Sequence, residues 1–503
     1  MSALLSLAIV GMALLAVHKY MHRQRIPPGI RPLPGLKRLI QDADLPFVGR
    51  VHDIPADGAW LKFYEWSKQC VPICQMEIFG TVHVWISSQA VAHDLLPKRA
   101  LIYSDRPVIP NLPDNRTSGD YLALLGQVAE TWKRQRKLCN HLIHSSTLAS
   151  LPSYPTLERD RLLYLLYQDP SKYLEWIEQF TTRTVSRLCW GTPLPSQVLR
   201  HTTFGLLEAI SPPGALPNII SFLRHVPAAM SPWKRKESAR HALEDRLFKA
   251  SVNFVKHSMA SHHTEPSFIH TFMESKESQD EKEWTRWGDT DEVRHVVGVM
   301  VIAGALTIGS PIQSFLLAIC HYPQCVSEGR CPQWDDRAKP PMLRAVVKEV
   351  IRWRPPVATG FSHAVEKDDI YNGYFIPAGA TIHALEWGIT HPSFPTYREP
   401  LTQYPDLNGY SQFGFGRRTC QGVSIVEQDL FLSMAGVAWA FDIRKKRDPL
   451  TDAEPVKFPF DALPRSREKV AAMREMYEAA QGRRCRGPEM DISQFRPDLG
   501  DKI

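Results

Sequence analysis

A chain of 503 residues is too long for one small core, and 44% hydrophobic with 22% charged residues is the balance of a globular protein, not of a disordered or fibrous one. With 60 basic and 53 acidic side chains the net charge is +7 and dispersed, so nucleic-acid binding has no footing, while an acidic protein partner stays open. Nine cysteines, odd in number and irregularly spaced, argue against a secreted disulfide framework and for a reducing compartment. Cys320, Cys325 and Cys331 lack the C-x-x-C pair or companion histidines of a metal site.

From Ala3 to Val17 the chain is almost wholly apolar, and His18, Lys19, His22, Arg23 and Arg25 follow. Continued to Met21, the run has the about 20 residues that a bilayer-spanning helix needs. It has neither the basic start nor the A-x-A-like cleavage site of a signal peptide. Residues 1–21 are therefore expected to form a single-pass anchor helix, with the positive-inside bias putting residue 1 in the lumen and the rest in the cytosol; a buried core helix is the alternative. Residues 22–50 contain Ile26-Pro27-Pro28-Gly29-Ile30-Arg31-Pro32-Leu33-Pro34-Gly35, a proline-rich hinge that cannot continue the helix. Residues 51–478 are expected to be the catalytic domain and 479–503 a charged, disordered tail. Asn115-Arg116-Thr117 matches a glycosylation sequon, which a cytosolic orientation hides.

Within the body, a helix is predicted around Ala59 to Cys70 and a hairpin over Ile73 to Ser87, where β-branched and aromatic residues alternate loosely. Ser104-Asp105-Arg106-Pro107 marks a loop. Trp132 and Arg136 stand at i and i+4 on one face of a helix, with Lys133, Arg134 and Lys137 free to point outward. Prolines between Ser211 and Trp233 break an apolar stretch into loops. The run Asp291 to Cys320 is predicted as one long helix of low charge carrying Ala303-Gly304-Ala305-Leu306-Thr307. Glu349 and Arg352 are three apart on a helix ended by Pro355 and Pro356, where an exposed pair would contribute only about 0.3–0.5 kcal/mol. Asn372-Gly373 and the residues to Gly379 read as a tight turn with short strands.

The chain is organised around Phe413-Gly414-Phe415-Gly416-Arg417-Arg418-Thr419-Cys420-Gln421-Gly422, followed by an apolar helical run to about Phe441. Arg417 and Arg418 upstream and a helix start downstream favour the thiolate of Cys420. Glycines 414, 416 and 422 let the backbone turn tightly and approach something flat. That combination suits an axial sulfur ligand to haem iron; the alternative is a glycine-rich turn with an inert cysteine. The segment fits F-x-x-G-x-R-x-C-x-G through Phe413, Gly416, Arg418, Cys420 and Gly422, and it resembles the haem-binding loop of the cytochrome P-450 superfamily.

The resemblance covers nearly the whole chain after the anchor. It implies a mainly α fold with small β-sheets that binds haem b through Cys420. It further implies that Trp132 and Arg136 reach a haem propionate and that His363 contacts a propionate. Gly304 would widen the distal helix locally where dioxygen sits, and Thr307 would bond the bound oxygen and hold the water that delivers protons, although Leu306 occupies the position of the usual acid. Glu349 and Arg352 would form a buried structural network beneath the loop. Lys133, Arg134 and Lys137 would face an NADPH-dependent reductase.

The implied reaction is monooxygenation of an apolar small molecule, with O2 and NADPH-derived electrons, on the cytosolic face of the endoplasmic reticulum membrane. Tyr397 to Thr402 running into Ser411 to Gly414 resembles filamentous-fungal members that tailor secondary metabolites. Three places read as too short for the family, after Pro323, Thr390 and Thr451, the second costing the meander arginine for which Arg398 is a weak substitute. Two alternatives therefore stay open: a same-fold isomerase or dehydratase that needs no NADPH, and a haem-poor inactive chain from a faulty gene model.

Overall fold

The computed structural model describes residues 27, 30–34, 53–55, 57–78, 81–112, 115–144, 153–211, 216–219, 221–274, 290–322, 329–337, 341–391, 406–446, 460–482 and 490. The anchor expected over 1–21 lies outside these residues, as do 323–328, 392–405 and 447–459, which hold or follow the three short junctions.

Helices dominate. Along the chain they are α1 (Ala59–Ser67), α2 (Gln89–Leu95), α3 (Ala100–Tyr103), α4 (Glu130–His144), α5 (Ser153–Gln168), α6 (Tyr173–Trp190), α7 (Ser196–Ile210), α8 (Leu216–Ile219), α9 (Pro232–Ala260) and α10 (Phe268–Glu274). They continue as α11 (Thr290–Thr307), α12 (Gly309–His321), α13 (Pro341–Trp353), α14 (Glu386–Thr390), α15 (Val423–Ala440) and α16 (Arg467–Gly482). In α15 every residue from Asp429 to Ala440 is buried, as an all-round apolar helix must be, and it packs against α5, α12 and α13. Helix α11 packs against α4, α6, α7 and α9.

The strands are β1 (Arg31–Pro32), β2 (Ile73–Ile78), β3 (Thr81–Ile86), β4 (His363–Ala364), β5 (Asp369–Tyr371), β6 (Tyr374–Ile376), β7 (Thr381–Ala384), β8 (Phe441–Lys445) and β9 (Phe460–Pro464). The predicted hairpin is β2–β3, antiparallel, with Ile73 opposite Ile86 and Ile78 opposite Thr81. It joins a four-stranded sheet in the order β2-β3-β7-β4, with β3 and β7 parallel. Alternation sorts its two faces. Val84, Ile86, Ile382 and Ala384 pack with Val91 and Leu95 of α2, while Cys74, Met76 and Trp85 pack with Trp66 of α1. A second sheet runs β1-β6-β5, and β8 pairs with β9.

Four sequence expectations change. Part of the proline-rich hinge belongs to the fold, since Arg31 and Pro32 pair with Tyr374 and Phe375 and Leu33 is buried among sheet residues. Residues 479–482, assigned to the disordered tail, are the last turn of α16, held by Tyr477 stacked on Tyr164 at 4.3 Å and a Gln481–Tyr477 hydrogen bond of 2.7 Å. The run 291–320 is two helices, interrupted at Ile308, whose φ of −75° and ψ of −34° keep the axis nearly continuous. Pro311 explains the break: it has no N–H for the Thr307 carbonyl four residues back, and its ring crowds that oxygen. Arg134 does not point freely outward, because its guanidinium grips Glu292 of α11 through Nε at 3.0 Å and Nη2 at 2.7 Å.

Candidate active site

The loop before α15 is built by two short 3-10 turns, Ser411–Phe413 and Gly416–Arg418. Gly414 at φ 81° and Gly416 at φ 56° occupy backbone conformations that side chains disfavour, and a Cβ on Gly416 would stand 2.9 Å from the Leu96 carbonyl. The chain then doubles back, so that the Cys420 N–H donates to the Phe413 carbonyl at 2.7 Å. Cys420 is enclosed by the fold, and burial pushes its thiol up; the Gly422 N–H and the Arg136 cation act in the opposite direction. Its own surface is nevertheless exposed, whereas Cys70, Cys74, Cys139, Cys189 and Cys331 are buried.

The cation beside Cys420 is therefore Arg136 from α4, not Arg417 or Arg418 as the sequence order suggests. Arg136 Nη2 donates to the Thr419 carbonyl at 2.6 Å. Arg418 turns away from Cys420: its Nε donates to the Ser104 carbonyl at 2.8 Å, its Nη2 to the Leu125 carbonyl at 2.6 Å, and its guanidinium lies 4.3 Å from the Trp132 ring centroid. So Trp132 supports Arg418 while Arg136, one turn on, supports the cysteine loop.

A third guanidinium, that of the buried Arg106, completes the cluster. Arg106 donates to the carbonyls of Ala123 at 2.8 Å, Phe361 at 3.3 Å and Ser362. Burial, then the nearby Arg418 and Arg136, hold it well below the usual guanidinium range. Burial and then Arg136 push Arg418 down to about 9, and burial lowers Arg136. His363, fully buried on β4, shares a hydrogen bond of 2.8 Å with the Tyr103 carbonyl. Burial and then Arg106 keep its imidazole neutral. Among the described residues, no ion pair joins Arg106, Arg136 or Arg418 to a carboxylate. Like charges held on neutral carbonyls, two of them buried and one half-buried, make a strong site for a multiply charged anion. The sequence reading passed over Arg106 as part of a loop; its only local mark was the Asp-Arg-Pro triplet.

On α11, Ala303 is exposed although Val301 and Ile302 before it are buried. The helix is continuous through Gly304, where a Cβ would meet Val185 of α6 at 2.5 Å. The interruption comes later, at Ile308. Thr307 Oγ1 donates to the Ala303 carbonyl at 2.9 Å, and Leu306 stands beside it with no carboxylate to offer.

Residues 41–464 match the model of the cytochrome P450 family, and the chain belongs to that family. It is similar to cytochrome P450 monooxygenase fogE of Aspergillus ruber, at 27% identity over 86% of this chain and 88% of that protein. It is also similar to cytochrome P450 monooxygenase virE of Hypocrea virens, at 26% over 87% of each, and to drtD of Aspergillus calidoustus, at 28% over 80% and 78%. The alignment with fogE spans 480 positions while covering 86% of the chain, so the relative carries segments that this chain lacks. The chain is thus an enzyme of the monooxygenase type, in a family whose members use a haem-thiolate group, dioxygen and electrons from a reductase.

Proposed function

We propose that this enzyme inserts one oxygen atom from O2 into an apolar small organic molecule in fungal secondary metabolism. One observation carries the reading: the exposed Cys420 stands beside Arg136, which joins the buried Arg106 and Arg418 in a cluster that, among the described residues, has carbonyl but no carboxylate partners. That donor set fits haem, a flat group with one metal site and two carboxylates. Cys420 Sγ would ligate the iron, and Arg106, Arg136 and Arg418, with His363 and Trp132 among them, would hold the propionates. When bound, the haem supplies dioxygen activation, with the thiolate favouring O–O cleavage.

The chain's own groups set the conditions for that chemistry. The Gly422 N–H and Arg136 favour negative charge on Cys420 and so act against the burial that raises its thiol. Thr307 donates its hydroxyl hydrogen bond to the Ala303 carbonyl, which leaves its oxygen free to accept from a water. With Leu306 in the acid's place, that water and not a neighbouring carboxylate must bring protons in. Lys133, Lys137 and Arg417 are exposed and suit an acidic, NADPH-dependent reductase, a role from which the Arg134–Glu292 pair withdraws Arg134. Residues 1–21 would hold the enzyme on the cytosolic face of the endoplasmic reticulum.

The test is the absorbance of the reduced, full-length protein under carbon monoxide. A thiolate-type band that Cys420→Ala abolishes supports the reading; an unchanged band in Cys420→Ala refutes it.

A further inference from the structure

Helix α6 touches the distal helix on both sides of its interruption. Ile177, Thr181 and Val185 stand four apart on one face of α6. A Cβ on Gly304 would meet Val185 at 2.5 Å, and one on Gly309 would meet Ile177 at 3.5 Å and Thr181 at 3.9 Å. Between these contacts, the fully buried Thr181 directs its hydroxyl at the Ala305 carbonyl, 3.1 Å away. The Glu178 carbonyl, on Thr181's own helix, is also 3.1 Å away, and one hydroxyl proton serves only one of them well. Glu178 needs it less. Its carbonyl takes the helical N–H of Thr182 and also Thr182 Oγ1 at 2.7 Å, a bond shorter than the 3.3 Å from that hydroxyl to Gln179. The Ala305 carbonyl needs it more, because its helical partner would be the Gly309 N–H, across the interruption at Ile308.

We infer that Thr181 is a positioning residue for Thr307: its hydroxyl donates from α6 to the Ala305 carbonyl, holds the last turn of α11 in its interrupted form, and so sets where the Thr307 hydroxyl stands. The inference rests on the haem reading, in which Thr307 faces the iron. Backbone pairing at this turn is already reduced, since Pro311 has no N–H for the Thr307 carbonyl. A buried carbonyl that loses its donor is costly, so without the Thr181 proton the turn would shift until Ala305 met the Gly309 N–H or a water. Either shift displaces Thr307, two residues further on.

Full-length, haem-loaded variants test this. Thr181→Val keeps the shape and removes the proton, while Thr181→Ser keeps the proton. Thr202→Val is the control: it removes a buried hydroxyl that stays on its own helix, donating to the Leu199 carbonyl at 3.0 Å. Thr307→Val, alone and combined with Thr181→Val, completes the set. The readout is the infrared C–O stretch of the reduced protein under carbon monoxide, which responds to the field of polar groups beside the bound gas.

Thr181→Val should shift the stretch in the same direction as Thr307→Val and by less. Thr181→Ser and Thr202→Val should match the unaltered protein. The double variant should match Thr307→Val, because a residue that acts through Thr307 has nothing left to move. Should Thr181→Val not take up haem, Thr181→Ala, which also lacks the hydroxyl, decides in its place. An unaltered stretch in the deciding variant, an equal shift in Thr202→Val, additive shifts in the double variant, or no shift in Thr307→Val overturns the inference alone. Absence of the thiolate-type band from the unaltered protein overturns the haem reading and this inference with it.

Discussion

Arg352 holds Glu349 by two hydrogen bonds, Nη2 to Oε1 at 2.6 Å and Nε to Oε2 at 2.7 Å, and its Nη1 donates to the Thr390 carbonyl at 3.1 Å. The guanidinium is 7% exposed and the carboxylate 53%, so the two halves of the pair are not equivalent. Glu349→Ala would leave a buried cation without this carboxylate. The loss should be about 2–3 kcal/mol, below the about 3–5 kcal/mol of a fully buried pair because water reaches Glu349. Arg352→Lys should cost a comparable amount, since an ammonium cannot reproduce the two-pronged bond and the carbonyl contact together. Urea unfolding of the purified variants checks both, and a change under about 0.5 kcal/mol would mean that the pair is an ordinary surface one.

Arg106 gives a prediction about haem retention. Arg106→Met removes one of three mutually repelling cations, so binding of the propionates should weaken by an order of magnitude or more, as loss of a buried charge-assisted pair costs about 2 kcal/mol. The rate at which haem passes to an acceptor protein measures this. Equal release rates from Arg106→Met and the unaltered protein would show that Arg106 serves only its carbonyl partners.

Glu386 sets a pH dependence. Burial pushes its carboxyl up to about 8, only partly offset by the hydrogen bond of 2.8 Å from Ser411 Oγ. The folded protein therefore keeps a proton that the unfolded chain, titrating near 4.5, has given up. Its contribution is fully present below pH 4.5, is lost as pH rises from there to about 8, and changes no further above that. The loss is at most about 5 kcal/mol across that window. Glu386→Gln keeps an acceptor for Ser411 and should flatten the profile, raising stability at pH 8 more than at pH 5. Denaturation midpoints at the two pH values decide, and parallel profiles for variant and unaltered protein would reject the assignment.

Leu306→Asp should supply the missing proton donor beside Thr307. The fraction of electrons ending in product should rise severalfold where proton delivery limits, with little change in substrate-induced spectral shifts. Product formed per NADPH consumed is the measurement. A ratio that does not move would indicate another proton path.

The short junctions predict low haem occupancy for the chain as written. The fogE alignment shows that this chain lacks segments its relative carries, and weakening the Glu349–Arg352 pair by about 2–3 kcal/mol is a large share of a total stability of about 5–15 kcal/mol. Restoring family-length segments after Pro323, Thr390 and Thr451 should raise haem per protein. Transcript sequencing across the three junctions, with pyridine haemochrome assays of both chains, checks it. Full haem loading and turnover by the short chain would show that the shortening is tolerated.

The sequence by itself determined the family, because the cysteine loop is a local motif whose glycines, arginine and cysteine lie within ten residues. It also determined the β2–β3 hairpin and the helices that carry Trp132, Thr307, Glu349 and the residues after Cys420, since periodicity and turn residues act over short range. What it could not determine was which arginine stands beside Cys420. Arg418 is two residues away in the chain yet reaches toward Ser104 and Leu125, while Arg136, nearly three hundred residues earlier, supplies the charge. Gly304 fits the same pattern: a Cβ there would meet Val185 of another helix. Arg106 joined the cluster only because β4 and the loop before α4 meet there. Helix breaks and turns follow from neighbours in the chain, but the sign and strength of the field at the cysteine sulfur follow from charges that only tertiary packing brings within reach.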